Sequence, residues 1–284
     1  MYKIGLDIGG TRLKFALVDN QKILETKIVS TPKTKLALVK TIVETTAELT
    51  NGLSKSKIIG LGIGVPGPLN KKRDLILNPP NLIYLKNTCL AQLVQQRLRI
   101  KVKMENDANC FALGEALLGA GRGSNSVFAI TLGTGVGGGF IVNGKIFEGS
   151  FGAAGEIGHV IIKADQKLKE LEDYASEKFV KREGNTTSDK LFFQAKHGNK
   201  KAVVIFQELG HNLGIGLANV INLIDPEVVV VGGGLVGAWQ FISKPLQGSV
   251  KKFVISSISR KYVKIKKAEL GEFSGALGAS QLIK

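Results

Sequence analysis

Three glycine-rich stretches, IGLDIGGTR (residues 4–12), TLGTGVGGG (131–139) and VVVVGGGLV (228–236), each adjoin an apolar run. Glycine has no Cβ, so its backbone amide can approach a phosphate oxygen that a side chain would exclude. Thr11 and Thr134 add hydroxyl donors to two of the stretches. No GxxxxGK[ST] loop occurs and no GxGxxG follows the first strand-like run, which excludes a Walker loop and a well-formed dinucleotide fingerprint. A single glycine run reads as a tight turn or close strand packing. Three runs, two with threonines and one with an acid, point instead to a polyphosphate. Asp7 is the only acidic residue in these stretches, placed where a carboxylate holds magnesium directly or through water, or else caps the loop. Phosphoryl transfer needs a cation to neutralise the polyphosphate, which favours the metal role.

The run Glu105-Asn106-Asp107-Ala108-Asn109 stands at the start of a segment with helical spacing. A carboxylate there has two uses: it accepts the proton of a substrate hydroxyl as the oxygen attacks phosphorus, or it caps the helix amides. Spacing leaves both open for Asp107. Asn106 offers a donor and an acceptor together, as a sugar with adjacent hydroxyls requires. In GAAGEIGH, Glu156 and His159 are three residues apart, so both can grip neighbouring hydroxyls from one side of a turn or helix. Zinc at His159 would need further cysteines or histidines, and residues 160–176 contain none. His159 is then a sugar contact or a satisfied polar residue. Glu172, in LEDYAS, serves the same pocket or only the start of a helix.

Such groups need strands and turns to hold them. Residues 2–18 read as two short strands, with Asp19-Asn20 as a turn, followed by a helix over 36–53 that stops at Asn51-Gly52 and a buried strand over 57–65. VPGPLN forces a loop; 86–99 is helical, 100–104 strand-like and 109–118 helical. The second half repeats the opening, with strands at 127–132 and 139–142 and the hairpin signal Asn143-Gly144. Setting DIGGTRLKFALVDN against TLGTGVGGGFIVNG aligns glycines, a threonine and a turn, which implies an internal duplication. Helical patterns over 167–182, 188–197 and 202–223, a strand at 228–231 and a last helix over 274–283 complete an α/β chain.

Taken together these segments resemble the ROK family of sugar kinases and sugar-responsive repressors over essentially the whole chain. LDIGGTRLKFALVD is similar to the family's first phosphate loop, GVPGPLN to its central loop, ENDAN to its catalytic segment and LGTGVGGGFIVNGK to its second phosphate loop. GEIGH and LEDYAS resemble its sugar-binding signatures, and DPEVVVVGGG its nucleotide-side strand. The resemblance implies a two-lobed actin-like ATPase (ribonuclease H-like) α/β fold with a duplicated β-sheet core and a cleft between lobes. It places 1–115 in an N-terminal lobe completed by a C-terminal helix at 273–284, and 116–272 in a C-terminal lobe. By position, Asp107 is the base, and Asn81, Asn106, Glu156, His159 and Glu172 bind the sugar. Gly9, Gly10, Thr11, Arg12, Gly133, Thr134 and Gly135 hold phosphates, Gly233 lies near the adenosine, and Asp7 holds magnesium. Many members carry a cysteine-rich CxCGxxGC zinc motif between the GH and LE segments; it is missing here, so no structural zinc is expected.

The implied activity is ATP-dependent phosphorylation of a hexose, glucose foremost, with fructose, mannose, allose or N-acetylmannosamine as alternative substrates. The competing classes are a sugar-sensing repressor and a sugar-binding pseudokinase. With a strand read from Tyr2 onward, the repressor's DNA-binding domain is not expected, and retention of Asp7, both glycine-threonine loops and Asp107 disfavours the pseudokinase. The chain has 284 residues, a net charge of +16 and only two cysteines, Cys89 and Cys110, without a CxxC partner. Lysines are spread over many segments without interleaved aromatic stacking platforms, so neither nucleic acid nor a membrane is expected as a partner. The charge would draw ATP, or a longer polyanion such as polyphosphate, toward the protein. Without an export-signal pattern the expected place is the cytoplasm, and a homodimer follows by analogy.

Overall fold

The apolar run that opens the chain pairs with the next one after three residues. In the computed structural model, which describes residues 1–20, 22–164 and 168–284, β1 (Tyr2–Ile8) lies antiparallel to β2 (Arg12–Asp19). Asn20, at φ 44°, leads β2 into β3 (Lys22–Ser30), whose charged and largely exposed residues hide its strand character in the sequence. Next, α1 (Lys35–Leu49) begins at Thr34, whose hydroxyl accepts the Ala37 N–H. β4 (Ile58–Val65) runs parallel to β1; α2 (Leu90–Leu98) precedes β5 (Lys101–Asn106), parallel to β4, which leads directly into α3 (Asp107–Leu117). The first sheet therefore has the order β3-β2-β1-β4-β5. Ile4, Leu6, Leu13, Phe15, Leu38, Ile42, Leu61 and Ile63 are fully buried on it, each such side chain contributing about 1.5–3 kcal/mol.

The second half opens with β6 (Ser126–Leu132), β7 (Val136–Val142) and β8 (Lys145–Ile146), turned by Asn143-Gly144. It continues through β9 (Ile161–Ala164), β10 (Leu168–Glu170), α4 (Glu172–Ala175), α5 (Glu177–Gly184), α6 (Ser188–Lys196) and the long α7 (Lys200–Ile224). β11 (Val228–Gly232), α8 (Trp239–Phe253), α9 (Ser257–Tyr262), β12 (Lys264–Lys267) and α10 (Ser274–Ser280) follow. β6, β11 and β12 are mutually parallel, and β7 pairs antiparallel with β8. The order β12-β11-β6-β7-β8 mirrors the first sheet, so the duplication legible in the glycine loops extends to topology. Where one helix was expected over 167–182, the described residues form β10, α4 and α5. Ser176 is extended between the two helices because the Glu177 N–H bonds to the Gly133 carbonyl instead of continuing the helix. Among the described residues no helix is long and apolar enough to cross a membrane.

Contacts gather the chain into two compact units: Met1–Gly123 with Gly139–Ala154 and Glu269–Lys284, and Ser124–Gly138 with Gly155–Ala268. The boundaries differ from 1–115 and 116–272. Residues 119–121 fold back onto Glu115, whose carboxylate also takes the Glu269 and Leu270 N–H groups. Gly139 packs against Ala112 and Asn109 of α3, which brings 139–154 into the first unit.

Within that unit α10 lies backbone to backbone against its neighbours. A Cβ on Gly5 would sit 1.7 Å from the Ala276 carbonyl oxygen, one on Gly62 1.7 Å from that of Ala279, and one on Gly278 1.7 Å from that of Cys110. No backbone atom can move aside cheaply at such a contact. Gly62→Ala is expected to destabilise the protein by about 3 kcal/mol, read as a lower urea midpoint; an unchanged midpoint would show that α10 does not pack this way.

Candidate active site

Asp7 lies near the end of β1, paired with Lys14 on β2 and Gly64 on β4. Burial raises its carboxyl pKa and the Lys14 ammonium draws it back down. Gly275 of α10 packs on the same carboxyl, where a Cβ would lie 3.0 Å from Cγ. The turn that follows is tight: the Gly9 N–H bonds to the Arg12 carbonyl at 2.9 Å, and Thr31 fixes it from β3's far end. Its hydroxyl donates to the Gly9 carbonyl at 2.7 Å and its N–H to that of Thr11 at 3.0 Å. Gly10, Thr11 and Arg12 are exposed. Asn81, at φ 62°, approaches Gly10: its Cβ lies 3.5 Å from where a Gly10 Cβ would stand.

At the β5–α3 junction the helix starts two residues earlier than its spacing suggested, and Asn106 caps it. Its Oδ1 accepts the Asn109 N–H at 3.1 Å, while its Nδ2 donates to the Gly67 carbonyl at 3.2 Å. The N-cap position thus belongs to Asn106, and Asp107, half-buried, is the first helical residue, with Oδ1 accepting the Ala108 N–H at 2.8 Å. Behind them Glu105 is buried, accepting the Asn106 N–H at 2.9 Å and Asn109 Nδ2 at 3.1 Å. Arg73 Nε stands 3.2 Å from Glu105, and Arg73 Nη1 donates to the Gly152 carbonyl at 3.1 Å. Burial raises the Glu105 pKa; the Asn106 N–H, Arg73 and Asn109 oppose it. Cys110, buried beneath, is pushed well up by burial and by Glu105, Asp7 and Asp107, so its thiol stays protonated at neutral pH.

The second unit assembles its own set. The Gly133 N–H bonds to the Gly135 carbonyl at 3.0 Å, and the Glu177 N–H to the Gly133 carbonyl at 2.8 Å. The Val136 N–H donates to Glu172 Oε2 at 3.0 Å, and a Cβ on Gly135 would stand 2.5 Å from that oxygen. Glu172 Oε1 takes Lys178 Nζ at 2.6 Å. Burial pushes Glu172 up, but Lys178, the Val136 N–H and His159 together leave it below the usual carboxylate value. Both of its oxygens are therefore engaged with protein, one of them in bracing the glycine loop. Thr134 Oγ1 lies 3.5 Å from Glu177 Oε2, and Gly233, at φ 89°, packs on the Leu132 backbone where a Cβ would be 2.3 Å from the carbonyl oxygen. His159 and Glu156 are exposed. His159 Nδ1 is 2.9 Å from Glu170 Oε2, a bond that raises the imidazole pKa; desolvation opposes it, and Glu156 and Glu172 add to the rise.

The model of the ROK family matches residues 3–284. The chain belongs to the ROK family. It is similar to the glucokinase of Streptomyces coelicolor, 33% identical with 98% of this chain and 96% of that protein covered. The glucokinase of Thermotoga maritima is 31% identical, with coverage of 99% and 96%. The crystal structure of a ROK family glucokinase from Streptomyces griseus in complex with glucose and AMPPNP matches with a TM-score of 0.84 and 33% identity, over 100% of this chain and 99% of that one. The α/β architecture with its duplicated sheet is thus the actin-like ATPase (ribonuclease H-like) fold.

In this ROK family member the structure groups Asp7, Gly9 to Arg12, Asn81, Asn106 and Asp107 in the first unit, and Gly133 to Gly135, Glu156, His159, Glu172 and Gly233 in the second. Sequence reasoning missed Thr31, Arg73, Glu105, Glu170, Glu177 and Lys178. Glu105 stands beside Asn106 in ENDAN; the others carry no local signal, because each meets a partner at least six residues away, and most meet partners far more remote. Among the described residues no group of three or more His, Cys, Asp or Glu side chains could hold a metal ion. Residues 165–167, between the GEIGH and LEDYAS segments, lie outside the described ones.

Because its pKa is raised, the folded-state bond of His159 contributes fully below the ordinary value of 6.5 and is lost as pH rises through the folded value. An NMR titration should place the His159 midpoint above 6.5, and Glu170→Gln should lower it. An unmoved midpoint in the variant would show that Glu170 does not hold the ring.

Proposed function

We propose that this ROK family chain is an ATP-dependent hexose kinase acting on glucose, with Asp107 as the general base. The observation that supports this furthest is the end-to-end likeness to the Streptomyces griseus enzyme solved with glucose and AMPPNP. Local geometry adds to it. With Asn106 in the N-cap position, the Asp107 carboxylate stands one residue farther on, in the first turn of α3. In this reading a sugar hydroxyl oxygen bonds to the γ-phosphorus, the bond to the ADP oxygen breaks, and Asp107 receives the hydroxyl proton.

The remaining residues take supporting roles. Gly9 to Arg12 and Gly133 to Gly135 present backbone amides and hydroxyls to the phosphates, and Gly233 lies on the adenosine side. Asn81, Asn106, Glu156, His159 and Glu172 serve the sugar. Asn106 stands at the N-cap beside the base, and Glu172 also holds the second glycine loop. Asp7 fits magnesium: a single, partly buried carboxylate beside a phosphate-sized turn matches an ion that keeps most of its waters and binds through one or two carboxylates plus substrate phosphates. Bound there, the ion would neutralise the polyphosphate charge.

Asp107→Asn keeps size and hydrogen bonding while removing the base. Turnover of glucose with ATP and magnesium should fall by about 10² to 10⁴, with sugar affinity by calorimetry near that of the parent protein. Near-normal turnover in the variant would remove Asp107 from the mechanism, and no turnover of any hexose by the parent would remove the kinase reading.

A further inference from the structure

Half of the net charge of +16 resides in one part of the second unit: residues 228–268 carry eight Lys or Arg and no Asp or Glu. Within it the stretch KKFVISSISRKY (251–262), spanning the end of α8 and all of α9, buries only Val254 and Ser259. Everything else in it faces solvent, including Phe253 at 41%, Ile255 at 85%, Ile258 at 70% and Tyr262 at 63%. Lys251, Lys252, Arg260 and Lys261 are exposed among them. Asn222 ties this stretch to the end of α7: its Nδ2 donates to the Phe253 carbonyl at 3.1 Å and its Oδ1 accepts the Ile255 N–H at 3.0 Å. Leu223, next in the chain, is 82% exposed. Lys252 lies over the Phe253 ring at 5.2 Å and Lys261 over that of Tyr262 at 5.1 Å.

A merely solvated basic face has no need of two isoleucines and a leucine held out in water, and exposed apolar side chains gathered in one stretch mark a contact surface. Its cations select the partner. A second copy meeting it face to face would set these lysines against the same lysines, which a self-complementary contact cannot afford. Nucleic acid would use the two aromatic rings as stacking platforms, yet each already carries a lysine, and aliphatic side chains offer bases little. Apolar and aromatic side chains interspersed with Lys and Arg, without a single acid, suit the boundary between lipid headgroups and acyl chains. We propose that residues 251–262, with Leu223, dock on an anionic phospholipid bilayer, making the protein a peripheral membrane protein. A membrane partner was not expected from the sequence because no segment can span one and the lysines read as spread out; in 251–262 they instead gather with two aromatic rings, and surface docking requires no span. Ile255, Ile258 and Leu223 enter the interface, and the four cations meet lipid phosphates and carboxylates.

The test is co-sedimentation of the full chain with phosphatidylcholine vesicles and with vesicles of phosphatidylcholine and phosphatidylserine in a two-to-one ratio. Binding is expected to the anionic vesicles alone and should weaken as salt shortens the screening length. Changing Lys251, Lys252, Arg260 and Lys261 together to Gln should weaken it about 10²-fold or more, and Ile255→Ser with Ile258→Ser about tenfold. Both variants should melt like the parent and match its activity in free solution, since none of these residues belongs to the site described above. No binding to anionic vesicles at low salt would overturn the proposal. So would an isoleucine variant that binds as the parent does, or retention of duplex DNA or soluble polyphosphate where vesicles are ignored.

Discussion

Glu115 is fully buried, and its carboxylate is satisfied by four donors: the N–H groups of Ala120, Glu269 and Leu270 and the hydroxyl of Ser274. A buried charge without partners would cost several kcal/mol, so the position holds only if all these groups arrive together. They come from the end of α3 and from a segment more than 150 residues later that starts α10. One side chain thereby fixes where the chain leaves the first unit and where it returns. The glycine contacts of α10 depend on that registration, since a helix lying with its carbonyls against the Cα atoms of Gly5 and Gly62 tolerates little displacement. Asp7 is reached through Gly275 of the same helix, and the position of Asp107 at the head of α3 follows from the same packing.

The second unit solves a similar problem with exposed chemistry. Three links join the loop at Gly133–Val136 to α4 and α5: the Glu177 N–H, the Thr134 hydroxyl and the Glu172 carboxylate. The LEDYAS segment and the second glycine loop are therefore tied together by hydrogen bonds. Lys178 completes the arrangement by balancing Glu172, although a pair this open to solvent contributes little stability of its own. Its value is directional: it holds one carboxylate oxygen so that the other faces the Val136 N–H.

Local signals carry far in this chain because its turns are chemically explicit. Asn20, Asn143 and Gly144 reverse the strands where their residue types said they would, and the duplicated sheet could be inferred from two glycine loops of like spacing. Elements that lack such signals stayed hidden. β3 alternates weakly under its charges, α8 contains Pro245, and β12 is a basic edge strand. The helix expected across 167–182 failed for a different reason, since a tertiary hydrogen bond at Glu177 overrode local propensity.

By itself the sequence determined the class of fold, the glycine turns, the acids beside them and the family, because turn formation, capping chemistry and apolar periodicity act over a few residues. Tertiary structure decided what those residues do with their atoms. It assigned the N-cap to Asn106 and left Asp107 in the first turn; it paired Glu105 with Arg73 and His159 with Glu170, and it set Glu172 against the glycine loop. Each of these depends on partners that are remote in the chain or on competition between adjacent groups for one hydrogen bond, and only packing resolves such competition.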